Sequence, residues 1–211
     1  MMSHLEQITQ ALLNIDGENL NTLVEAALDN GIEAKDILNQ GLIPAMDIVG
    51  EKMESGDMFI PEVLMAAQVM AGSVEILKPL LSDDELSAGG IVIIGTVKGD
   101  LHDIGKNLVA MMMESSGLIV HDLGVDISPE GFVKTIKEKN ATILCMSALL
   151  TTTMPMMKQT VDAIVEAGLR DQVKIMIGGA PVTQSFADEI GVDAFAADAG
   201  SAAKAAKAFA A

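Results

Sequence analysis

From Gly90 onward, short runs rich in isoleucine and valine alternate with longer amphipathic stretches, and this alternation most narrows what the chain can fold into. The pattern predicts strands near 91–97, 118–123, 142–147, 174–178 and 194–197, with helices near 104–116, 129–139, 154–168, 183–190 and 200–210. Runs such as Ile91 to Ile94 are apolar at every position rather than at every second one, so each strand must be covered on both faces. Helices between such strands supply the cover and imply parallel pairing. The expectation is a five-stranded, doubly wound α/β domain, Rossmann-like or flavodoxin-like, that binds ligands beyond the carboxyl ends of its strands.

Up to about Leu81 the period is different. Leu20, Leu23, Val24, Ala27 and Leu28 recur every three to four residues, as do Ile43, Met46, Val49 and Met53. Helices are expected near 4–14, 18–29, 34–40, 42–55 and 61–80, with Gly31 and Gly56 at helix ends, Pro44 in a first turn, and Pro61 with Glu62 at a helix start. The acidic, glycine-ended stretch Ser82 to Gly90 reads as a linker and candidate hinge. The domains are therefore set at 1–86, a helical bundle, and 87–211, the α/β domain.

Composition removes several function classes. Half of the 211 residues are hydrophobic and the mean hydropathy is +0.39, which argues against disorder. The uninterrupted apolar runs are far shorter than the roughly 18 residues of a spanning helix, and Met1 to Ile15 lacks the basic and apolar regions of a secretory signal. A soluble, cytoplasmic protein with no membrane partner is expected. Thirty acidic against 13 basic side chains give a net charge of -17, which repels nucleic-acid backbones. The lone Cys145 lies in an apolar segment and reads as a buried, inert thiol. Fifteen methionines, with no tryptophan or tyrosine, are assigned mainly to core.

The stretch GTVKGDLHDIGKN, Gly95 to Asn107, carries one of only three histidines at the carboxyl end of the first strand. His102 there could be a surface or capping residue, and the glycines before a helix could cradle a phosphate. The spacing matches no phosphate-binding fingerprint, however, and Asp100 and Asp103 oppose an anion. In a metal reading, His102 offers one ring nitrogen to the ion and Asp100 accepts a hydrogen bond from the other. A single protein ligand is too few for zinc, so such a metal would arrive already held, as in a macrocycle.

Three elements then line up: D-x-H-x-x-G at Asp100, His102 and Gly105, S-x-L at Ser147 and Leu149, and the pair Gly178-Gly179. Each falls at a predicted strand end. Together they resemble the signature of cobalamin-binding domains, and Gly50 to Met70 is similar to the helical cap of cobalamin-dependent methionine synthase. The resemblance runs from about residue 5 to 205 and leaves no room for a catalytic barrel, so it implies a free-standing corrinoid protein of methyltransferase systems for methylamines, methanol or betaine-type quaternary amines.

That resemblance implies a corrinoid bound base-off and His-on, with His102 as the lower cobalt ligand, Asp100 holding it and Thr153 as the third member of the relay. Gly99, Leu101, Asp103, Ile104 and Gly105 would border the ligand loop, Ser147, Leu149, Gly178 and Gly179 the channel for the displaced nucleotide tail, and Thr151 a contact to the cofactor. Met58, Phe59 and Leu64 would shield the cobalt-bound methyl group. The implied role is a carrier rather than a complete enzyme in one-carbon metabolism of the methanogenic or acetogenic kind. Its partners would be a substrate-specific methyltransferase, a second methyltransferase to tetrahydrofolate or coenzyme M, and a reductive activase. A carbon-skeleton mutase subunit, which shares the histidine motif, and a cobalamin-dependent sensor, which has a similar cap, stand as alternatives, as does a receiver-type signalling module with Asp100 as phosphoacceptor.

Overall fold

Ser3 and Glu6 begin the first helix by satisfying each other. In the computed structural model, which describes residues 2–82 and 90–210, the Ser3 hydroxyl accepts from the Glu6 N–H at 3.2 Å and the Glu6 carboxylate accepts from the Ser3 N–H at 2.7 Å. This reciprocal capping opens α1 (His4–Leu13). The helices α2 (Gly17–Asp29), α3 (Ala34–Ile37), α4 (Ile43–Ser55) and α5 (Ile60–Leu77) follow. Pro44 and Pro61 sit in first turns, the Glu62 carboxylate accepts from the Phe59 N–H at 2.9 Å, and Gly56 closes α4 with a left-handed φ of 81°.

Sequence periodicity separates residues 34–40 from 42–55, but the chain passes between α3 and α4 without a break, through a π-helical turn at Leu38–Leu42. The reason lies in α1. A Cβ on Gly41 would come within 3.1 Å of the Ile8 side chain, and the Gly41 carbonyl accepts from the Thr9 hydroxyl at 3.0 Å. The widened turn lies with that backbone against α1. Ile8, Leu12, Leu20, Val24, Leu42, Met46, Val63 and Leu77 have no exposed surface and form the core of this helical unit.

Counting uninterrupted apolar runs missed one property of α5. With the 3-10 turn that follows, Ile60–Leu80 is 21 residues long at a hydropathy of 1.4, enough by length and composition to cross a membrane. Its buried residues Val63, Ala66, Ala67, Met70, Ser73 and Leu77 form one helical stripe, as in a bundle helix. The buried Ser73 hydroxyl donates to the Asn21 side-chain oxygen at 2.7 Å.

The second unit is a sheet of β1 (Ile91–Thr96), β2 (Ile119–Asp122), β3 (Ile143–Ser147), β4 (Lys174–Gly178) and β5 (Ala194–Ala196), all parallel in the order β2-β1-β3-β4-β5. Its helices are α6 (Ile104–Ser115), α7 (Pro129–Lys139), α8 (Met154–Glu166), α9 (Gln184–Ile190) and α10 (Ala199–Ala210). This is the doubly wound, flavodoxin-like order, with β1 and β3 flanking the switch point. Ile93, Leu144, Ile175 and Phe132 are fully buried, and a Cβ on Gly95 would meet the Phe132 ring at 2.8 Å, so a glycine lets α7 close on β1.

The two units divide within residues 83–89, and the helical unit also takes in Ser115–Gly117. The boundary expected at 86/87 and most of the candidate hinge lie outside the described residues.

Candidate cofactor site

Register brings the three sequence elements together. Thr96 pairs with Ser147 and Ser147 with Gly178, so the loops after β1, β3 and β4 leave the sheet side by side at one edge. Val97 adds one more rung by donating its N–H to the Ser147 carbonyl at 3.0 Å. The chain then turns: the Val97 carbonyl accepts from the Asp100 N–H at 3.1 Å, with Gly99 at φ 82° in the third position, where this kind of turn needs a residue free of Cβ strain.

The turn drives Asp100 inward. Its side chain has no exposed surface, yet every lone pair is used. One oxygen accepts from the His102 ring Nδ1 at 2.7 Å and from the His102 N–H at 3.1 Å. The other accepts from the Leu149 N–H at 2.8 Å, the Leu150 N–H at 3.3 Å and the Thr153 hydroxyl at 2.8 Å. Burial pushes this carboxyl up, but the His102 imidazole, the Leu149 N–H and the Thr153 hydroxyl together hold it well below the usual carboxylate range. Asp100 is therefore ionised, an acceptor only, and His102 must present Nδ1–H to it. The lone pair of the ring is left on Nε2, and the His102 side chain is half exposed.

Four large apolar side chains stand in water beside it: Leu101 at 72% exposed, Ile104 at 86%, Leu149 and Leu150. Exposed apolar groups collected around one polar atom mark a binding surface. Among the described residues no group of three His, Cys, Asp or Glu could hold a bare metal ion. One oriented imidazole in an apolar surround does suit a metal whose other positions are already filled by a flat, largely apolar macrocycle. The donor set therefore fits a corrinoid.

The remaining expected residues divide. Gly105 opens the second position of α6 with nothing within 4 Å of its absent Cβ, so packing within the chain does not demand a glycine there. Gly179 is different: its φ is 127° and a Cβ would lie 1.9 Å from the Ala148 carbonyl oxygen, while one on Gly178 would lie 3.0 Å from the Ala196 oxygen. Both clashes are with the chain's own backbone. Ser147 is half-buried at the end of β3, Thr151 is exposed, and the Asp103 carbonyl accepts from the Asn107 N–H at 2.7 Å to start α6. In the helical unit Met58 is buried, whereas Phe59 is 68% exposed and Leu64 is exposed.

Sequence reasoning missed three supports. The buried Thr96 hydroxyl donates to the His102 carbonyl at 2.9 Å. The Leu150 N–H joins the Asp100 cluster, although S-x-L stops one residue short of it. Lys106 is buried and ion-paired with Asp122, whose other oxygen accepts from the Gly124 N–H at 2.8 Å, and the Gly124 carbonyl accepts from the Thr96 N–H at 3.0 Å. A lysine one place after the motif glycine was the available signal.

Fold and site together define a cofactor-binding α/β protein with a helical companion. Residues 4–78 and 90–207 each match a B12 binding domain model. Dimethylamine corrinoid protein 1 of Methanosarcina acetivorans is 41% identical over 204 residues, 96% of this chain and 95% of that one. Trimethylamine corrinoid protein 1 of the same organism is 43% identical over 187 residues, covering 88% and 87%. Among solved structures, the methanol:cobalamin methyltransferase complex from Methanosarcina barkeri contains a chain that matches at a TM-score of 0.85 and 28% identity, over 98% of this chain and 79% of that one. This chain belongs to the B12-binding corrinoid proteins of methyltransferase systems.

Proposed function

We propose that the protein carries methyl groups in the cytoplasm on a corrinoid bound base-off and His-on, with His102 Nε2 as the lower cobalt ligand. What carries the reading is the half-exposed imidazole fixed through Nδ1 by a fully buried, ionised Asp100. When bound, the cobalt supplies a strong nucleophile in its reduced state and a site for the methyl group. His102 orients the corrin, and Asp100 keeps the imidazole in the tautomer that can ligate. Thr153 donates to Asp100 and holds its charge in place. Leu101, Ile104, Leu149 and Leu150 give the corrin an apolar seat, Thr151 a polar contact beside it, and the open space at Gly105 lets it approach the backbone. Ser147 and Gly178 border the channel for the nucleotide tail. Phe59 and Leu64 are two of several exposed apolar side chains of the helical unit.

The donor class we propose is the methylamines, because the relatives named for dimethylamine and trimethylamine are 41% and 43% identical, against 28% for the chain of the methanol complex. A substrate-specific methyltransferase loads the carrier, a second one unloads it to tetrahydrofolate or coenzyme M, and a reductive activase restores it. The test is to incubate the protein with hydroxocobalamin, desalt, and record the visible spectrum beside that of His102→Ala. Retained colour with a spectrum altered in the variant is expected, followed by methylation with a methylamine methyltransferase but not with a methanol one. An unaltered spectrum in His102→Ala would refute the ligand assignment.

A further inference from the structure

An exposed aspartate across from the ligand loop holds an unusual backbone conformation. Asp126, in the connection between β2 and α7, has a φ of 58°, one of three non-glycine residues with positive φ among those described. Aspartate tolerates that region better than most residues, though at a cost. Both of its polar backbone-facing groups point to the turn that carries the histidine. The Asp126 carboxylate accepts from the Gly99 N–H at 2.7 Å, and the Asp126 N–H donates to the Asp100 carbonyl at 3.1 Å.

The surroundings explain why these two bonds matter. The Val97–Asp100 turn is closed by the Asp100 N–H, so the Gly99 N–H finds its acceptor outside the turn, on Asp126. The neighbouring strand extension is already tied down, with the Ile127 N–H donating to the Thr96 carbonyl at 3.0 Å and Val97 bridging Ile127 in parallel. Asp126, one residue before Ile127, adds a second tie two and three residues beyond Val97, at the Gly99 N–H and the Asp100 carbonyl on either side of the peptide that leads into Asp100. Asp100 in turn fixes His102.

We infer that Asp126 is a positioning residue for the cobalt ligand: it clamps the backbone at Gly99 and Asp100 so that Asp100 meets His102 Nδ1 and Nε2 faces the corrin. The inference rests on reading His102 as the ligand. It separates two properties of Asp126, its left-handed backbone and its acceptor oxygen. Asp126→Gly keeps the first and loses the second. Asp126→Asn keeps both. Asp126→Ala is less useful, because alanine is strained at this φ and loss of fold would confuse the result.

The experiment loads wild type, Asp126→Gly, Asp126→Asn and His102→Ala with cobalamin and reduces each to cobalt(II). Electron paramagnetic resonance then measures the fraction of cobalt whose nitrogen splitting responds to isotopically labelled histidine. Thermal melting of the cofactor-free proteins serves as the fold control. Wild type and Asp126→Asn should show the histidine-coupled signal. Asp126→Gly should bind the corrinoid and melt as a folded protein, with the ratio of His-on to His-off cobalt reduced about tenfold, the low end for loss of one hydrogen bond to a charged group. An unchanged ratio in Asp126→Gly, or an equal loss in Asp126→Asn, would overturn the role of Asp126 and leave His102 as ligand. Absence of histidine coupling in the wild type would overturn both.

Discussion

Asp100 is a buried charge whose stability depends entirely on its neighbours. Replacing it with alanine leaves the part-buried Leu149 and Leu150 N–H groups without their acceptor, while the Thr153 hydroxyl retains the Leu150 carbonyl at 2.9 Å, which should cost the cofactor-free protein about 1–3 kcal/mol in a urea titration. Asp100→Asn should lose less, because one amide oxygen still accepts, but its NH2 group must face a donor. The pH dependence separates charge from shape. The folded carboxyl is held below its usual range, so its stabilisation is complete at neutral pH and is lost as pH falls through the acid range. The advantage of wild type over Asp100→Asn should therefore be constant near neutrality and shrink from about pH 4 downward. An advantage that stays constant into stronger acid would mean that the carboxylate charge is not its source.

At the scale of elements, the ends of helices and strands set limits that substitution can measure. Gly56 ends α4 with positive φ in open space, so Gly56→Ala should cost only the conformational term, about 1 kcal/mol. Gly179 adds a collision with the Ala148 carbonyl to an unfavourable φ, and Gly179→Ala should cost at least about 3 kcal/mol or prevent folding. Urea midpoints of the two variants give the comparison, and equal losses would mean that the loop after β4 relaxes freely. These positions also indicate what sequence reveals. The strands were legible because uninterrupted Ile and Val runs have few alternatives, and two helix starts because Pro44 and Pro61 act locally; the Ser3 cap was not singled out. The Asp100–His102 contact was legible because two residues of spacing suffice to bring the carboxylate to the ring nitrogen. The π-turn at Leu38–Leu42 was not, since it answers to Ile8 and Thr9 some thirty residues earlier in sequence. Asp126 was not, because an isolated aspartate becomes a clamp only when β2 is laid beside β1.

At the scale of the molecule, charge is divided unequally. Residues 1–82 hold 13 acidic side chains against 3 basic ones, while residues 90–211 hold 14 against 10. The helical unit is also the smaller, and small cores leave less margin over conformational entropy. Self-repulsion lowers that margin further and is relieved by salt. The helical unit should therefore unfold first. Cys145 makes this measurable, because it is the chain's one cysteine and sits on β3 in the other unit. Burial pushes its thiol up to about 12, so it is protected from alkylation until the sheet opens. In a urea titration of the cofactor-free protein, far-ultraviolet circular dichroism should lose helical signal at concentrations where Cys145 still resists labelling. Raising the ionic strength should move that first loss to higher urea more than it moves the labelling curve. Coincident curves at every salt concentration would instead show a single cooperative transition and sink the assignment of separate stabilities.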